Sequence, residues 1–252
     1  MKFSLNKNSE INVKQDNQLF IKYSYDNVTI NNNTKFIRAI MIETPIIMNF
    51  YEFFSRISIA QEEVEYDISN YPYTFKLLYK RLSLPLKNRN KNSLGNIISN
   101  IIKGSFKIEK DNIIFYRQDE KFDVNSVATG IKSFGILQLL AKNGYFKKGN
   151  VLILDEPEVH LHPKWQLEMA KVIIELVKNE VKVLVTSHSP YMIEALELYS
   201  KKEKVSRNFY LAEKEEKFAY IKDVTNNLEP IYFKLAEPIN DLEEQSLENF
   251  EW

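Results

Sequence analysis

The chain has 252 residues with 34 basic and 34 acidic side chains, so its zero formal charge excludes a global basic field for nucleic acid. It contains no cysteine, which excludes disulfides and thiol chemistry and agrees with a cytoplasmic location. Because residues 1–8 lack the apolar core of a signal peptide and no uncharged stretch approaches membrane-spanning length, we expect no membrane contact.

Residues 1–35 are polar and rich in asparagine, with short strand candidates such as residues 19–25. Apolar periodicity and turn residues then predict further elements. In chain order these are a strand at 36–42, a helix that starts within 45–57 and carries an aromatic stripe, a helical insertion or arm at 58–104 with helices at 73–82 and 94–102, and a hairpin at 106–116 that turns at Lys110-Asp111-Asn112.

Basic side chains cluster within the predicted insertion. A solvated helical face is the commoner meaning of such a cluster, and contact with nucleic acid is the alternative. The residues are Lys76, Lys80, Arg81, Lys87, Arg89, Lys91 and Lys103.

The segment V-A-T-G-I-K at residues 127–132 precedes a predicted helix. A small turn that carries Gly130 at a helix start exposes backbone N–H groups and the positive end of the helix dipole, so it can hold a phosphate. An ordinary helix start is the alternative interpretation.

The most informative pattern is V-L-I-L-D-E-P-E at residues 151–158. Its continuous apolar run is typical of a strand covered on both faces by helices, and Asp155 and Glu156 follow at its carboxyl end. Pro163 suits a first helical position, and apolar residues at helical spacing after it predict a crossover helix. A second apolar strand follows at residues 181–186.

These two strands predict a single crevice lined by ionisable residues. A strand, a crossover helix and a parallel strand form a right-handed unit, and ligands bind outside the carboxyl ends of such strands. Glu156 and His188 should therefore converge. There Asp155 can hold magnesium, Glu156 can orient or deprotonate water, and His188 can donate a hydrogen bond to a terminal phosphate. A helix cap for the acidic pair and a core position for the histidine are the alternatives.

The carboxyl-terminal part predicts less specific structure. Residues 208–212 and 218–224 have the pattern of closing strands, and the acidic tail from residue 240 predicts a short helix or a frayed end.

The linked motifs resemble a known family. V-L-I-L-D-E-P-E-V-H-L-H-P, followed by V-L-V-T-S-H-S-P-Y-M-I-E-A-L, is similar to the Walker B, D-loop and histidine switch of ABC-type ATPases of the non-transporter branch. The particular form of these motifs resembles that of bacterial AAA-type proteins related to the overcoming-lysogenization-defect group. The match is strong over residues 124–198. The resemblance implies an α/β P-loop NTPase fold, with a mainly parallel sheet flanked by helices, a helical insertion and antiparallel strands, in one ABC-type domain across residues 1–252.

The resemblance also implies roles for the residues of the predicted crevice. Asp155 would help to hold Mg²⁺ for bound ATP, Glu156 would activate the attacking water, and His188 would sense the terminal phosphate. Residues 158–163 would run along the interface of a dimer.

A second set of residues would bind the nucleotide through the family's signature segment. Gly130 and Lys132 occupy its expected place. Because Ala128 stands where relatives place serine, Ser126 or Thr129 would supply the hydroxyl group.

The sequence departs from the family in its phosphate-binding loop, G-x-x-x-x-G-K-[ST]. None of its six glycines fits that pattern. Gly144 and Gly149 have the spacing, but Asn150 and a strand follow them, so they predict a connecting turn. The chain is a fragment without the amino-terminal Walker A portion, a split ATPase whose loop lies on another chain, or a degenerate relative. Since the loop of relatives precedes the region resembling residues 36–57, we expect truncation or splitting, and no activity of the chain alone.

The expected function is ATP binding and hydrolysis in DNA repair or phage defence. The expected partners are a second copy or a chain that supplies the loop, and then a nuclease or DNA. One alternative is a non-catalytic dimeric scaffold or regulatory pseudo-ATPase. Another is a metal-dependent hydrolase or nuclease that uses His160, His162 and Asp155, because H-x-H spacing sends both imidazoles to one side of an extended segment.

Overall fold

The computed structural model describes residues 10–15, 18–24, 28–30, 39–63, 72–86, 93–215 and 218–248. Contacts divide the chain into two compact units, Met1–Arg38 and Ala39–Trp252. The boundary lies inside the strand predicted for residues 36–42. One ABC-type domain across residues 1–252 stays a prediction.

The first unit contains a three-stranded antiparallel sheet. Its strands are β1 (Glu10–Gln15), β2 (Gln18–Ser24) and β3 (Val28–Ile30), in the order β1-β2-β3. The strand predicted at residues 19–25 corresponds to β2, so that prediction is confirmed to within one residue at each end.

The second unit alternates helices and strands. In chain order its elements are β4 (Ala39–Ile42), a 3-10 helix (Pro45–Phe50), α1 (Tyr51–Glu63), α2 (Tyr73–Ser83), α3 (Leu94–Ile102), β5 (Ser105–Glu109), β6 (Asn112–Arg117), β7 (Glu120–Asp123), a 3-10 turn (Val124–Ser126), α4 (Thr129–Lys142), β8 (Val151–Asp155), α5 (Pro163–Lys178), β9 (Lys182–Thr186), α6 (Pro190–Glu203), β10 (Tyr210–Glu215), β11 (Phe218–Asp223) and α7 (Glu229–Glu248).

A parallel sheet of order β4-β8-β9 lies at the centre of this unit. The predicted strand, crossover helix and parallel strand are β8, α5 and β9, so this βαβ prediction is confirmed. The expectation that helices cover both faces is met only in part. Leu152 and Leu154 on one face of β8 are buried, and Val151 and Ile153 on its other face are half-buried. On the neighbouring strand β9, Leu184 is 55% exposed. Apolar composition therefore identified the strand, but it did not reveal how far each face is covered.

Helices α2 and α3 confirm the helices predicted at residues 73–82 and 94–102. Their apolar residues, including Leu78, Leu82 and Ile98, belong to the same buried cluster as Leu152 of the parallel sheet. The described parts of the predicted insertion are therefore packed into the main core. Residues 64–71 and 87–92 lie outside the described residues.

Within the predicted basic cluster, the side chain of Arg81 contacts the core of the protein. Arg81 donates a hydrogen bond to the Ala39 carbonyl and its guanidinium lies over the ring of Tyr145. These contacts give Arg81 a structural role. Lys87, Arg89 and Lys91 lie outside the described residues, and nucleic-acid contact stays a prediction.

The segment after β4 differs from its prediction. Residues 45–57 were expected to begin a helix, and the structure has a 3-10 helix first, with α1 following from Tyr51. The Thr44 side chain accepts a hydrogen bond from the Ile46 N–H and caps this turn. The aromatic stripe is divided, because Tyr51 and Phe54 are buried while Phe50 and Phe53 are exposed.

The predicted hairpin at residues 106–116 is confirmed as β5 and β6, and β7 extends it into an antiparallel sheet. This sheet packs on α4 through the fully buried ring of Phe106. A Cβ added to Gly135 would lie 2.5 Å from the Phe106 ring. The Phe106 N–H also donates to Gln138 Oε1 at 2.6 Å, so α4 holds this sheet by packing and by a buried hydrogen bond.

The carboxyl-terminal elements form a smaller cluster of their own. Strands β10 and β11 are an antiparallel pair that confirms the strands predicted at 208–212 and 218–224, within three residues at their ends. Ile193 of α6 packs with Val224, Leu228 and Ile231. The short helix predicted from residue 240 is wrong in its start, because α7 begins at Glu229 and continues through Pro238.

Two further expectations concern connections and membranes. Gly144 and Gly149 lie between α4 and β8 with φ of 80° and 81°, which confirms the predicted connecting turn. Over the described part of the chain, the helices lack the combination of length and apolar composition that crossing a bilayer requires.

Replacing Gly135 with alanine tests the packing of α4 on Phe106. Because the added methyl group would overlap the buried ring, we expect Gly135→Ala to destabilise the fold by about 1–3 kcal/mol. Gly95 of α3 is the matched control, since its Cβ would meet Lys142 at an ordinary 3.6 Å. Gly95→Ala should be neutral or stabilising by up to about 1 kcal/mol. Urea unfolding measures the free energy of unfolding of both variants. Equal values for Gly135→Ala and Gly95→Ala would contradict the close packing of α4 on Phe106.

Candidate functional site

The carboxyl ends of β8 and β9 are joined by hydrogen bonds. Asp155 is opposite Thr186 in the parallel register. The Thr186 hydroxyl donates to Asp155 Oδ1 at 2.5 Å and accepts from the Glu156 N–H at 3.1 Å. The Glu156 N–H also points to the Thr186 carbonyl oxygen at 3.2 Å. One threonine therefore fixes both acidic residues relative to the neighbouring strand.

Glu156 and His188 meet beyond these strand ends. His188 Nε2 lies 3.3 Å from Glu156 Oε1, and the two side chains are 80% and 45% exposed. The predicted convergence is therefore confirmed. The alternative of a core position for the histidine does not fit, because the His188 side chain is exposed. The alternative of a helix cap for the acidic pair does not fit either, because the next helix after Glu156 begins only at Pro163.

The loop after β9 is anchored by buried polar groups to the segment after β8 and to the start of α5. Glu158 Oε1 accepts hydrogen bonds from the Ser187 hydroxyl at 2.7 Å and from the His188 N–H at 2.8 Å. The Ser189 hydroxyl donates to Gln166 Oε1 at 2.5 Å. Sequence reasoning missed the anchoring roles of Glu158 and Gln166, because neither the strand pattern nor the helix pattern marks a buried tertiary contact.

The backbone at the site is locally strained. Glu156 has φ of 46° and His160 has φ of 67°, in the left-handed region that residues with a Cβ seldom adopt. Each such residue costs on the order of 1–3 kcal/mol unless the surroundings impose it. Here the Thr186 hydroxyl and carbonyl hold the Glu156 N–H, and this contact supplies part of that constraint.

The predicted signature segment lies at the start of α4, beside the loop that follows β8. Ala128 occupies the N-cap position and has no side-chain oxygen, so it offers the first N–H groups no side-chain acceptor. Ser126 is exposed and Thr129 is half-buried. A Cβ at Gly130 would lie 2.9 Å from the His160 carbonyl oxygen, so this glycine permits the close approach of α4 to the loop. Nucleotide contact by these residues stays a prediction.

Lys132 of the same segment faces the protein interior. It is 4% exposed and its Nζ donates to Asn49 Oδ1 at 2.8 Å. Burial lowers the pKa of Lys132, and the nearby Asp123 carboxylate opposes that shift. In this arrangement the ammonium ties α4 to the 3-10 helix after β4, and the predicted phosphate contact of Lys132 is untested.

A cavity of about 160 Å³ lies at the carboxyl ends of β4 and β8. It has room for a small ion with its water rather than for a whole nucleotide. Asp155 and Glu156 line it together with Glu43 and Ser133. Glu43 received no role from the sequence, and the structure places it at the same sheet edge as the acidic pair.

These oxygen donors fit magnesium better than they fit a transition metal. Magnesium is commonly held by one or two carboxylates, with water and substrate phosphates completing its coordination, and Asp155 provides such a carboxylate. Across the described ranges, no three His, Cys, Asp or Glu residues are grouped closely enough to hold a metal ion by themselves. His162 instead caps α5, because its Nδ1 accepts from the Lys164 N–H at 3.3 Å. Within the described residues, His160, His162 and Asp155 therefore do not form the preformed metal site that this alternative requires.

Residues 3–193 match the family model described as an AAA ATPase domain. The chain belongs to this family of ATPase domains. Membership confirms the predicted resemblance to AAA-type ATPases, and the central parallel sheet with flanking helices and antiparallel strands confirms the predicted fold class. The family is one that binds nucleotide, usually with Mg²⁺.

Two relatives are similar to parts of the chain. An uncharacterized protein of Methanocaldococcus jannaschii is 29% identical over 124 residues, which are 49% of this chain and 14% of that protein. The Septu protein PtuA of Bacillus thuringiensis is 36% identical over 45 residues, which are 18% of this chain and 11% of that protein. The matched segments thus span less than a sixth of either relative.

Solved SMC heads are similar at low identity. The SMC head domain from Thermotoga maritima has a TM-score of 0.41 and 16% identity, covering 59% of this chain and 51% of that chain. The Smc head domain with a coiled coil and joint from Pyrococcus yayanosii has a TM-score of 0.44 and 13% identity, covering 75% and 33%. With scores this low, family membership depends on the family model alone.

The left-handed backbone at Glu156 can be tested by comparing two substitutions. Both Glu156→Gly and Glu156→Ala remove the carboxylate, but only glycine adopts φ of 46° without strain. We expect the glycine variant to be more stable by about 1 kcal/mol in thermal or urea unfolding. At the control position Lys171, inside α5, alanine should instead exceed glycine by about 1 kcal/mol. If alanine were more stable than glycine at both positions, the backbone strain at Glu156 would be contradicted.

Proposed function

We propose that this chain supplies the carboxylate and histidine side of an ATP-hydrolysing site, in a complex that brings the phosphate-binding loop. The observation that carries the proposal is the 3.3 Å approach of His188 Nε2 to Glu156 Oε1 at the carboxyl ends of two parallel strands. Membership in a family of ATPase domains supports it.

The residues divide the chemistry by position. Asp155 would hold Mg²⁺, which supplies charge neutralisation for the triphosphate when it is bound. Glu156 would accept a proton from the attacking water, and its half-exposed carboxylate is reachable by that water. His188 would donate a hydrogen bond to the terminal phosphate, whose oxygens carry the developing charge.

The second part of the proposal concerns assembly. The start of α4, with Ser126, Thr129, Gly130 and Lys132 as its predicted nucleotide-binding residues, would face ATP held by another subunit in a head-to-tail dimer. The N-cap residue Ala128 makes no side-chain hydrogen bond to the first turn of α4. This supports binding of a phosphate by the backbone N–H groups of that turn. The buried ammonium of Lys132 would act by fixing that turn through Asn49.

The third part of the proposal concerns the biological process. The similarity to a Septu protein favours phage defence over DNA repair, with a nuclease or DNA as the further partner. The alternative is a dimeric scaffold or regulatory pseudo-ATPase, which the lack of a G-x-x-x-x-G-K-[ST] loop in this sequence favours. A complex that binds ATP without releasing phosphate would identify the scaffold.

Glu156→Gln tests the proposed base. The amide keeps the shape of the side chain but cannot accept the proton, so we expect kcat to fall about 100-fold or more while nucleotide affinity stays within about twofold. Phosphate release is measured on the complex that co-purifies with a tagged copy of this chain from the cells that naturally produce it. Glu180→Gln is the control, because Glu180 pairs with Lys148 near the opposite end of β9. Turnover close to the wild-type rate in Glu156→Gln would remove Glu156 from the mechanism.

His188→Ala tests the proposed phosphate sensor. Because the imidazole is 80% exposed, its removal should change the free energy of unfolding by less than about 0.5 kcal/mol. In the same assembly kcat should fall by about 10²-fold or more. Lys182→Ala, at the amino end of β9, is the control for truncating another exposed side chain of this βαβ unit. Global unfolding of the His188 variant would support a structural role instead.

A further inference from the structure

The position of His188 depends on contacts outside the parallel sheet. Direct pairing of β8 and β9 ends at Asp155 and Thr186, and His188 lies two residues beyond that point. The exposed pair of His188 with Glu156 is too weak to fix a loop, since surface pairs of this kind contribute little. The histidine must therefore be held through its backbone.

Glu158 supplies this backbone contact. Its Oε1 accepts both the Ser187 hydroxyl at 2.7 Å and the His188 N–H at 2.8 Å, across a separation of 30 residues for the second bond. Two donors on consecutive residues that share one carboxylate oxygen restrict both the position and the direction of the chain. The hydroxyl of the next residue, Ser189, donates a hydrogen bond to Gln166 Oε1.

The burial of Glu158 indicates that its role is more than packing. The residue is 8% exposed, and its Oε2 is buried without a hydrogen-bond partner among the described residues. A buried carboxylate with one unsatisfied oxygen is costly, and an apolar side chain of similar size would avoid that cost. The gain that offsets it is the fixed geometry of the two donors.

We propose that Glu158 is a positioning residue that holds the histidine loop through the His188 N–H and the Ser187 hydroxyl, so that His188 faces Glu156. Its effect on the rate rests on the proposed function, because Glu158 acts through His188 and does not touch the substrate. Its effect on the loop does not depend on any activity.

Hydrogen exchange of the His188 amide tests the loop contact directly. Glu158→Ala removes the acceptor, so exchange at this amide should accelerate about tenfold or more under native conditions. Glu158→Gln keeps a carbonyl oxygen that can accept both donors, and exchange should stay within about threefold of wild type. Glu175→Ala is the control, because Glu175 pairs with Lys178 at the far end of α5. Unchanged exchange in Glu158→Ala would overturn the proposal.

The rate measurement separates a positioning role from a merely structural one. In the hydrolysing assembly, Glu158→Ala should lower kcat about tenfold or more with the Kd for ATP within about twofold, and Glu158→Gln should restore most of the rate. Faster exchange with unchanged kcat would refute the catalytic consequence. If the wild-type assembly hydrolyses no ATP, the proposed function fails together with that consequence, while exchange still decides the loop contact.

A third variant covers the case in which Glu158→Ala does not fold. Ser187→Ala removes the hydroxyl, which donates to Glu158 and also accepts from the Ser189 N–H at 3.1 Å, and it leaves the His188 N–H bonded to Glu158. We expect intermediate exchange at the His188 amide and an intermediate kcat. Wild-type values for both measurements would overturn the shared-acceptor arrangement.

Discussion

The parallel register of β8 and β9 is the constraint on which the site depends. It sets Asp155 opposite Thr186, and this single pairing allows the Thr186 hydroxyl to contact both Asp155 and the Glu156 backbone. A slip of one residue would exchange the faces of every side chain on one strand. Buried Leu152 and Leu154 oppose such a slip, because it would expose them. The apolar core thus determines where the polar chemistry lies.

The two loops beyond the strands form one hydrogen-bonded structure. Each residue from Thr186 to Ser189 contacts the chain between the last residue of β8 and the start of α5, through Asp155, Glu156, Glu158 or Gln166. Each contact contributes a modest free energy. Because the contacts act on consecutive residues, together they restrict the conformation of this short stretch of chain. The left-handed backbone of Glu156 persists within this network, which supplies the surrounding constraint that such a conformation requires.

The sequence predicted those parts that local pattern controls. Strands β8 and β9 were identifiable because short apolar runs are followed by ionisable residues, and α5 because Pro163 starts an apolar helical face. The convergence of Glu156 and His188 followed from the parallel topology alone. In contrast, the exposure of Leu184, the 3-10 turn at Pro45 and the inward direction of Lys132 depend on tertiary packing. The Glu158 contact was beyond prediction for the same reason, since its donors are distant in sequence.

Stability does not explain why an acid and an imidazole meet at this edge of the sheet. Their pair is exposed and contributes little to folding, while the backbone of Glu156 and the buried oxygen of Glu158 both cost free energy. A chain selected for stability alone would relieve each cost with a glycine or an apolar residue. The arrangement keeps two reactive groups within reach of solvent and of each other, with an oxygen-lined cavity beside them. This combination of local cost and chemical access supports the proposed hydrolytic site, because a packed structural motif has no need of it.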